Sequence, residues 1–185
     1  MRRIIVSIVI LAVSLLVSAC APSYSAYFDS DPNVPYRLAS GDRLRVIVFG
    51  QDDLSNSYAV DGSGHIQMPL IGIVTAEGKT TAELARDIEI RLRNGFLRDP
   101  HVSVEVEAFR PFFVLGEVTT PGQYPYVNGM TAETAVAIAG GFTPRAYKES
   151  VELTRTIDGR QVTGEVSIKH PINPGDTIVV RERWF

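Results

Sequence analysis

Twice in this sequence a Gly-Asp turn opens directly onto a strand. Leu38-Ala39-Ser40-Gly41-Asp42-Arg43-Leu44 leads into Leu44, Val46 and Val48 at period two, with Arg43, Arg45 and Ile47 opposite. Ile172-Asn173-Pro174-Gly175-Asp176-Thr177-Ile178 leads in the same way into Ile178 and Val180. Glycine supplies the backbone conformation of a tight turn, aspartate bonds its local backbone, and the alternation marks a half-buried strand. The chain is thereby committed to two small β-rich units. A functional loop used twice is the competing reading. Neither aspartate has a sequence partner that implies chemistry, so a tight turn feeding a strand is the reading adopted.

The pattern between these turns predicts an α+β protein. Tyr58-Ala59-Val60 ends in the hairpin-type turn Asp61-Gly62-Ser63-Gly64, followed by His65 to Pro69 and a short strand over Ile71 to Val74. Thr80 stands three residues before Glu83, a capping-box spacing. Leu84, Ile88 and Leu92 then recur every four residues to Asn94-Gly95, an amphipathic helix. Val102, Val104 and Val106 alternate with Ser103, Glu105 and Glu107. A second unit opens at Phe112 to Leu115, turns at Pro121-Gly122, and has a brief helix from Thr131 to Ala139 that Gly140-Gly141 closes. Strands follow at Val151 to Arg155, at Val162 to Ile168 after the turn Asp158-Gly159, and at Ile178 to Val180. Val46, Val48, Leu84, Ile88, Val104 and Val114 are assigned to the core.

Composition excludes several function classes. There are 18 basic and 21 acidic residues, a net charge of -3, so the basic field of a nucleic-acid binder is missing. One cysteine permits no internal disulfide, and with His65, His101 and His170 far apart it forms no recognisable metal site. No cofactor motif occurs and no cluster announces an enzyme. Asp52, Asp53 and Asp61 sit in apparent turns and are expected to face solvent.

The first residues are of another kind. Arg2 and Arg3 precede an apolar run from Ile4 to Ala19, which as a helix spans roughly 24 Å against a hydrocarbon core of ~30 Å. It ends in small residues without a basic flank, the layout of a signal peptide over 1–19, with an uncleaved anchor as the alternative. Leu16-Val17-Ser18-Ala19-Cys20 resembles the lipobox of bacterial lipoproteins, which implies cleavage before Cys20 and its lipidation. Several acyl chains make a stable anchor where one does not. No Asp follows the cysteine, which favours the outer membrane. Residues 20–35, rich in Ser, Pro, Asp and Tyr, read as a lipidated N-terminus and tether. Tyr24 and Tyr27 in this stretch, and Trp184 and Phe185 in the tail, are candidate interface residues. The tail pair is open to two readings: packing back on the core, or docking against another protein.

Tyr36 to Asp42 with Leu44-x-Val46-x-Val48 looks like the opening of the polysaccharide biosynthesis/export domain. Val60-Asp61-Gly62-Ser63-Gly64-x-Ile66-x-Met68-Pro69-Leu70-Ile71-Gly72 resembles its most recognisable stretch. Val114-x-Gly116-Glu117-Val118-x-x-Pro121-Gly122-x-Tyr124, Ala139-Gly140-Gly141-Phe142 and Pro174-Gly175-Asp176 resemble an SLBB domain, a β-grasp variant. The resemblance implies an export domain over 36–109 and an SLBB domain over 112–185. It further implies a lipoprotein of the outer membrane with its body in the periplasm, exporting capsular or exopolysaccharide polymer. Family members form rings, commonly octameric, and pair with an inner-membrane polysaccharide co-polymerase. The long members add a C-terminal membrane helix. Here only five residues follow Val180, about 7 Å if helical, so a separate outer-membrane β-barrel is expected to supply the pore. Loops at Asp61 to Gly64 and Pro121 to Tyr126 are candidates for ring or polymer contacts. Two rival functions are a periplasmic carbohydrate-binding module and a structural adaptor that recruits a pore protein.

Overall fold

The computed structural model describes Phe28, residues 35–157 and residues 159–184. Expectations for residues 1–19, Cys20, Tyr24, Tyr27, Asp158 and Phe185, and for most of the tether, lie outside the described residues.

Two bodies, each with its own apolar core, follow one another along the chain. In the first, β1 (Arg43–Val48) lies between β2 (Asn56–Ala59) and β5 (Val102–Ala108), antiparallel to both. Leu44, Val46 and Val48 are buried while Arg43 and Arg45 face solvent, so the period-two pattern sets which face of the sheet is inward. β3 (His65–Met68) and β4 (Gly72–Thr75) form a separate hairpin. α1 (Thr81–Arg93) starts from a complete capping box: the Thr80 hydroxyl accepts from the Glu83 N–H, and the Glu83 carboxylate accepts from the Thr80 N–H. Such a cap contributes about 1 kcal/mol. Leu84, Ile88 and Leu92 are fully buried on one stripe of this helix, which packs on β5.

The second body is a five-stranded mixed sheet carrying one short helix, a β-grasp-like arrangement. Its strands are β6 (Phe112–Gly116), β7 (Gly122–Tyr124), β8 (Ser150–Ile157), β9 (Arg160–Ser167) and β10 (Thr177–Val180), in spatial order β7-β6-β10-β8-β9. The last strand in sequence lies centrally, parallel to β6 and antiparallel to β8. α2 (Ala132–Ile138) buries Ala132, Ala135 and Val136. These residues belong to the second body's apolar core. All six residues assigned to the core are buried.

One detail decides between two readings left open by the sequence, and another differs from the sequence reading. Trp184 is 94% exposed, so it does not pack back on the core. Phe28, read as part of a structureless tether, is 1% exposed and belongs to the second body's core. Phe28 lies among Ser, Pro, Asp and Tyr with no apolar periodicity, so nothing in its neighbourhood signals burial.

Candidate functional site: the joint between the two bodies

The two Gly-Asp turns pack against the same residue, Arg110. Gly41-Asp42 precedes β1 in the first body and Gly175-Asp176 precedes β10 in the second. Between them runs the crossover Phe109-Arg110-Pro111. In each turn the carboxylate reaches back three residues. Asp42 Oδ2 accepts from the Ala39 N–H at 2.9 Å, and Asp176 Oδ2 accepts from the Asn173 N–H at 2.7 Å. The backbone closes both turns identically, Asp42 N–H to the Ala39 carbonyl and Asp176 N–H to the Asn173 carbonyl. The reading of a turn that feeds a strand therefore describes both loops. What the sequence left out is that both carboxylates are buried, at 0% and 1% exposure, and that each has a distant partner.

Those partners tie the bodies together. Asp42 Oδ1 accepts from the backbone N–H of Arg110 at 2.9 Å, 68 residues away. Arg110 Nε then donates to the Pro174 carbonyl at 3.0 Å, and the Gly175 N–H donates to the Pro111 carbonyl at 3.1 Å. Arg110 lies between the glycines so closely that side chains there would strike it. A Cβ on Gly175 would stand 2.5 Å from Arg110 Nε, and one on Gly41 would stand 3.3 Å from Arg110 Cβ. Both glycines also have positive φ, +85° and +93°, which an L side chain resists. Arg110 Nη1 is buried without a hydrogen-bond partner among the described residues. The residue is thus held by its backbone, its Nε and packing.

Asp176 also forms a forked ion pair. Arg155, from β8, donates through Nε to Oδ1 at 3.0 Å and through Nη2 to Oδ2 at 2.8 Å, and Nη2 also reaches the Pro171 carbonyl at 3.2 Å. The two side chains are only 9% and 1% exposed, so the pair is desolvated and must be satisfied internally.

An aromatic row crosses the same junction. Tyr36 meets Phe109 edge-on with ring centroids 5.0 Å apart, and Phe109 meets Tyr126 edge-on at 5.5 Å. The Tyr36 hydroxyl donates to Asp42 Oδ2 at 2.7 Å, and that of Tyr126 donates to the Ile172 carbonyl at 3.1 Å. Burial raises the pKa of the Tyr36 phenol well above its ordinary 10.0, and the neighbouring Asp42 carboxylate adds to the rise. Tyr36 accordingly stays a donor throughout the physiological range. Above pH ~10 an unfolded tyrosine ionises while this one does not, so the folded state holds the extra proton and stability falls as pH rises. The expected outcome is that Tyr36→Phe flattens the loss of thermal midpoint between pH 9 and pH 11, measured against wild type by circular dichroism.

The remaining motif residues hold no hydrogen bond to Arg110, although the turn at Asp61 adjoins the first Gly-Asp turn through Val60, which exchanges backbone hydrogen bonds with Gly41 and Asp42. Asp61 Oδ1 accepts from the N–H groups of Ser63 and His65 at 2.8 and 3.0 Å, so it caps its own exposed turn. Gly62 lies within that turn, and the Gly64 carbonyl accepts from both Ala76 and Glu77 at 2.9 Å. Pro69 and Gly72 flank the β3–β4 connection. Gly116 lies beside Val180 across the β6–β10 pair. Pro121 precedes Gly122, the first residue of β7. The Gly140 and Gly141 carbonyls both receive the Thr119 hydroxyl, at 2.9 and 3.3 Å. The motif residues thus divide into a joint set, Gly41, Asp42, Gly175 and Asp176, and a set whose contacts lie within one body.

Sequence reasoning missed Arg110, Arg155 and Phe109, and marked Tyr126 only as the end of a loop proposed for ring or polymer contacts. A basic residue just before the proline at the boundary of two units was the available signal for Arg110. Arg155 in an alternating strand reads as solvent-facing, and only tertiary placement reveals its partner. No group of His, Cys, Asp or Glu among the described residues could hold a metal ion. The joint fixes one body against the other. It presents no paired acid and base and no activated nucleophile.

Comparison with known families matches residues 30–107 to "Polysaccharide biosynthesis/export protein" and residues 111–166 to "SLBB domain". Among characterised proteins, the exopolysaccharide production protein ExoF of Rhizobium meliloti (strain 1021) is 38% identical over 138 residues, covering 68% of this chain and 32% of that protein. The EPS I polysaccharide export outer membrane protein EpsA of Ralstonia nicotianae (strain ATCC BAA-1114 / GMI1000) is 31% identical over 156 residues, covering 70% of this chain and 40% of EpsA. Its counterpart in Ralstonia solanacearum is 32% identical over 133 residues, covering 58% of this chain and 35% of that protein. The matched region is therefore about a third of each of these relatives, rising to 40% for the longest match.

Proposed function

We propose that this chain, which belongs to the polysaccharide biosynthesis/export family and carries an SLBB domain after its export domain, is a component of a polysaccharide export translocon that guides polymer through the periplasm. The observation that carries the reading is the ordered pair of domains, joined at a fixed joint built from the family's own Gly-Asp turns. A conduit needs its parts held in constant relation while polymer moves past, and a buried, cross-braced joint provides that. Its work is passage rather than catalysis.

In this reading residues 1–19 are removed and Cys20 carries the lipid that holds the body at the outer membrane. No helix among the described residues is long and apolar enough to cross a membrane. Copies of the chain assemble as a ring, receive polymer from an inner-membrane co-polymerase and deliver it to a separate outer-membrane β-barrel. Exposed apolar side chains support contacts with other subunits. Phe49, Leu70, Ile73 and Phe96 are all exposed, and chain direction places them at the end of the first body away from the joint. Large exposed apolar side chains are the usual material of an interaction surface. Trp184 offers a further exposed aromatic, on the other body.

The test is polymer location in a deletion strain rescued with wild-type or Cys20→Ser protein. Surface polymer is expected to be lost on deletion while cell-retained polymer rises, and to return with the wild-type copy only. The Cys20→Ser protein should remain out of the outer-membrane fraction. Unchanged polymer in both fractions, in a strain without a second copy of the gene, would overturn export and promote the carbohydrate-binding alternative.

A further inference from the structure

Phe28 lies outside both sheets and yet is buried to 1% in the second body. Its ring stands 5.9 Å beneath the Arg155 guanidinium carbon and meets the His170 ring edge-on at 6.2 Å. Arg155 is the partner of Asp176, and Asp176 lies in the loop whose Pro174 carbonyl accepts from Arg110. Phe28 therefore touches the last link of the network that holds the joint. From these contacts we infer that Phe28 is a latch: it pins the chain to the second body at the joint, eight residues after Cys20, and so sets how far that body can stand from the cysteine.

Chain geometry gives the consequence. From Cys20 to Tyr36, where the first body starts, 16 residues could reach roughly 56 Å when fully extended. From Cys20 to Phe28 there are eight, with a reach of about 28 Å. Docking of Phe28 thus halves the greatest distance between the anchor and the body. It also brings any pull on the anchor to the aromatic ring that covers the Arg155–Asp176 pair. The inference takes its biological meaning from the lipid-anchor reading, but its test does not depend on that reading.

The test uses the chain from Cys20 onward, which retains every described residue, coupled through its only cysteine to maleimide-lipid vesicles that carry a dansyl headgroup acceptor. Trp184, the only tryptophan, is the donor. Energy transfer is expected to fall in Phe28→Ala, because the body can then stand farther from the cysteine. Inserting eight Gly/Ser residues between Cys20 and Phe28 should produce a comparable fall. Hydrogen exchange separates the two variants: the Asn173 amide should lose protection on the order of tenfold or more in Phe28→Ala and keep it in the insertion variant. In a Trp184→Phe background, Phe28→Trp should emit at short wavelength and resist iodide quenching, a readout that holds even if the alanine variant folds poorly. Unchanged transfer in a folded Phe28→Ala protein, or the long-wavelength emission of a solvent-exposed indole in the Phe28→Trp variant, would overturn the latch. Failure of Cys20→Ser to alter membrane fractionation in cells would overturn the lipid anchor and leave these vesicle results standing.

Discussion

Replacing Asp176 with alanine is expected to destabilise the second body by about 3–5 kcal/mol, the usual cost of removing one partner from a buried ion pair. The Arg155 side chain is only 9% exposed and would keep its charge without the carboxylate that binds it through two nitrogens. The Asn173 N–H would lose its acceptor too, opening the turn that feeds β10. Because β10 is central, between β6 and β8, slack at its first residue reaches both neighbours. The thermal midpoint by scanning calorimetry should fall by at least ~6 °C, given about 2–4 °C per kcal/mol for a chain of this size. The double variant Arg155→Met with Asp176→Leu should recover much of that loss, since apolar replacement of a buried pair is often neutral or stabilising. A fall of under ~2 °C in Asp176→Ala would show that water reaches the pair, contrary to its burial here. Recovery in the double variant would establish that the cost lies in the orphaned charge.

Why this pair escaped the sequence while the strand beside it did not is a matter of range. Periodicity is local: Leu44, Val46 and Val48 declare their face within six residues, and Leu84, Ile88 and Leu92 do so within three turns of helix. Capping is local as well, so Thr80 and Glu83 mark the start of α1 from sequence alone. Asp42 and Asp176 were visible for the same reason, as turn formers. Their second role depends on groups 68 and 21 residues away, and no periodic pattern encodes that. Arg155 misleads outright. It occupies a strand position where charge ordinarily means solvent, and its stem and guanidinium are instead covered by the body's own turn and by Phe28. Resemblance singled out the two Gly-Asp turns as motif positions. The structure adds that both pack against Arg110.

Asp42 is where the joint should yield first. Its carboxylate is fully buried and accepts from three donors: the Tyr36 hydroxyl, the Ala39 N–H and the Arg110 N–H. Asp42→Ala leaves all three without that acceptor, and at roughly 1–3 kcal/mol for each buried donor left unsatisfied the expected loss is about 3 kcal/mol or more. Asp42→Asn should recover only part of it, because its amide group directs N–H bonds toward one side of a site made entirely of donors. The loss differs in kind from that at Asp176. Both aspartates hold a turn within their own body. The Asp42 carboxylate also bonds the crossover directly through the Arg110 N–H, whereas the Asp176 carboxylate binds Arg155 inside the second body. Exchange protection at the Arg110 amide should therefore collapse in Asp42→Ala, while amides of the β8–β9 ladder stay protected. If protection is lost equally across both bodies, the joint is no separate element and the chain unfolds as one unit. If the Arg110 amide alone is released and surface polymer falls although the protein still reaches the membrane, then the angle between the bodies, not merely their presence, is what export requires.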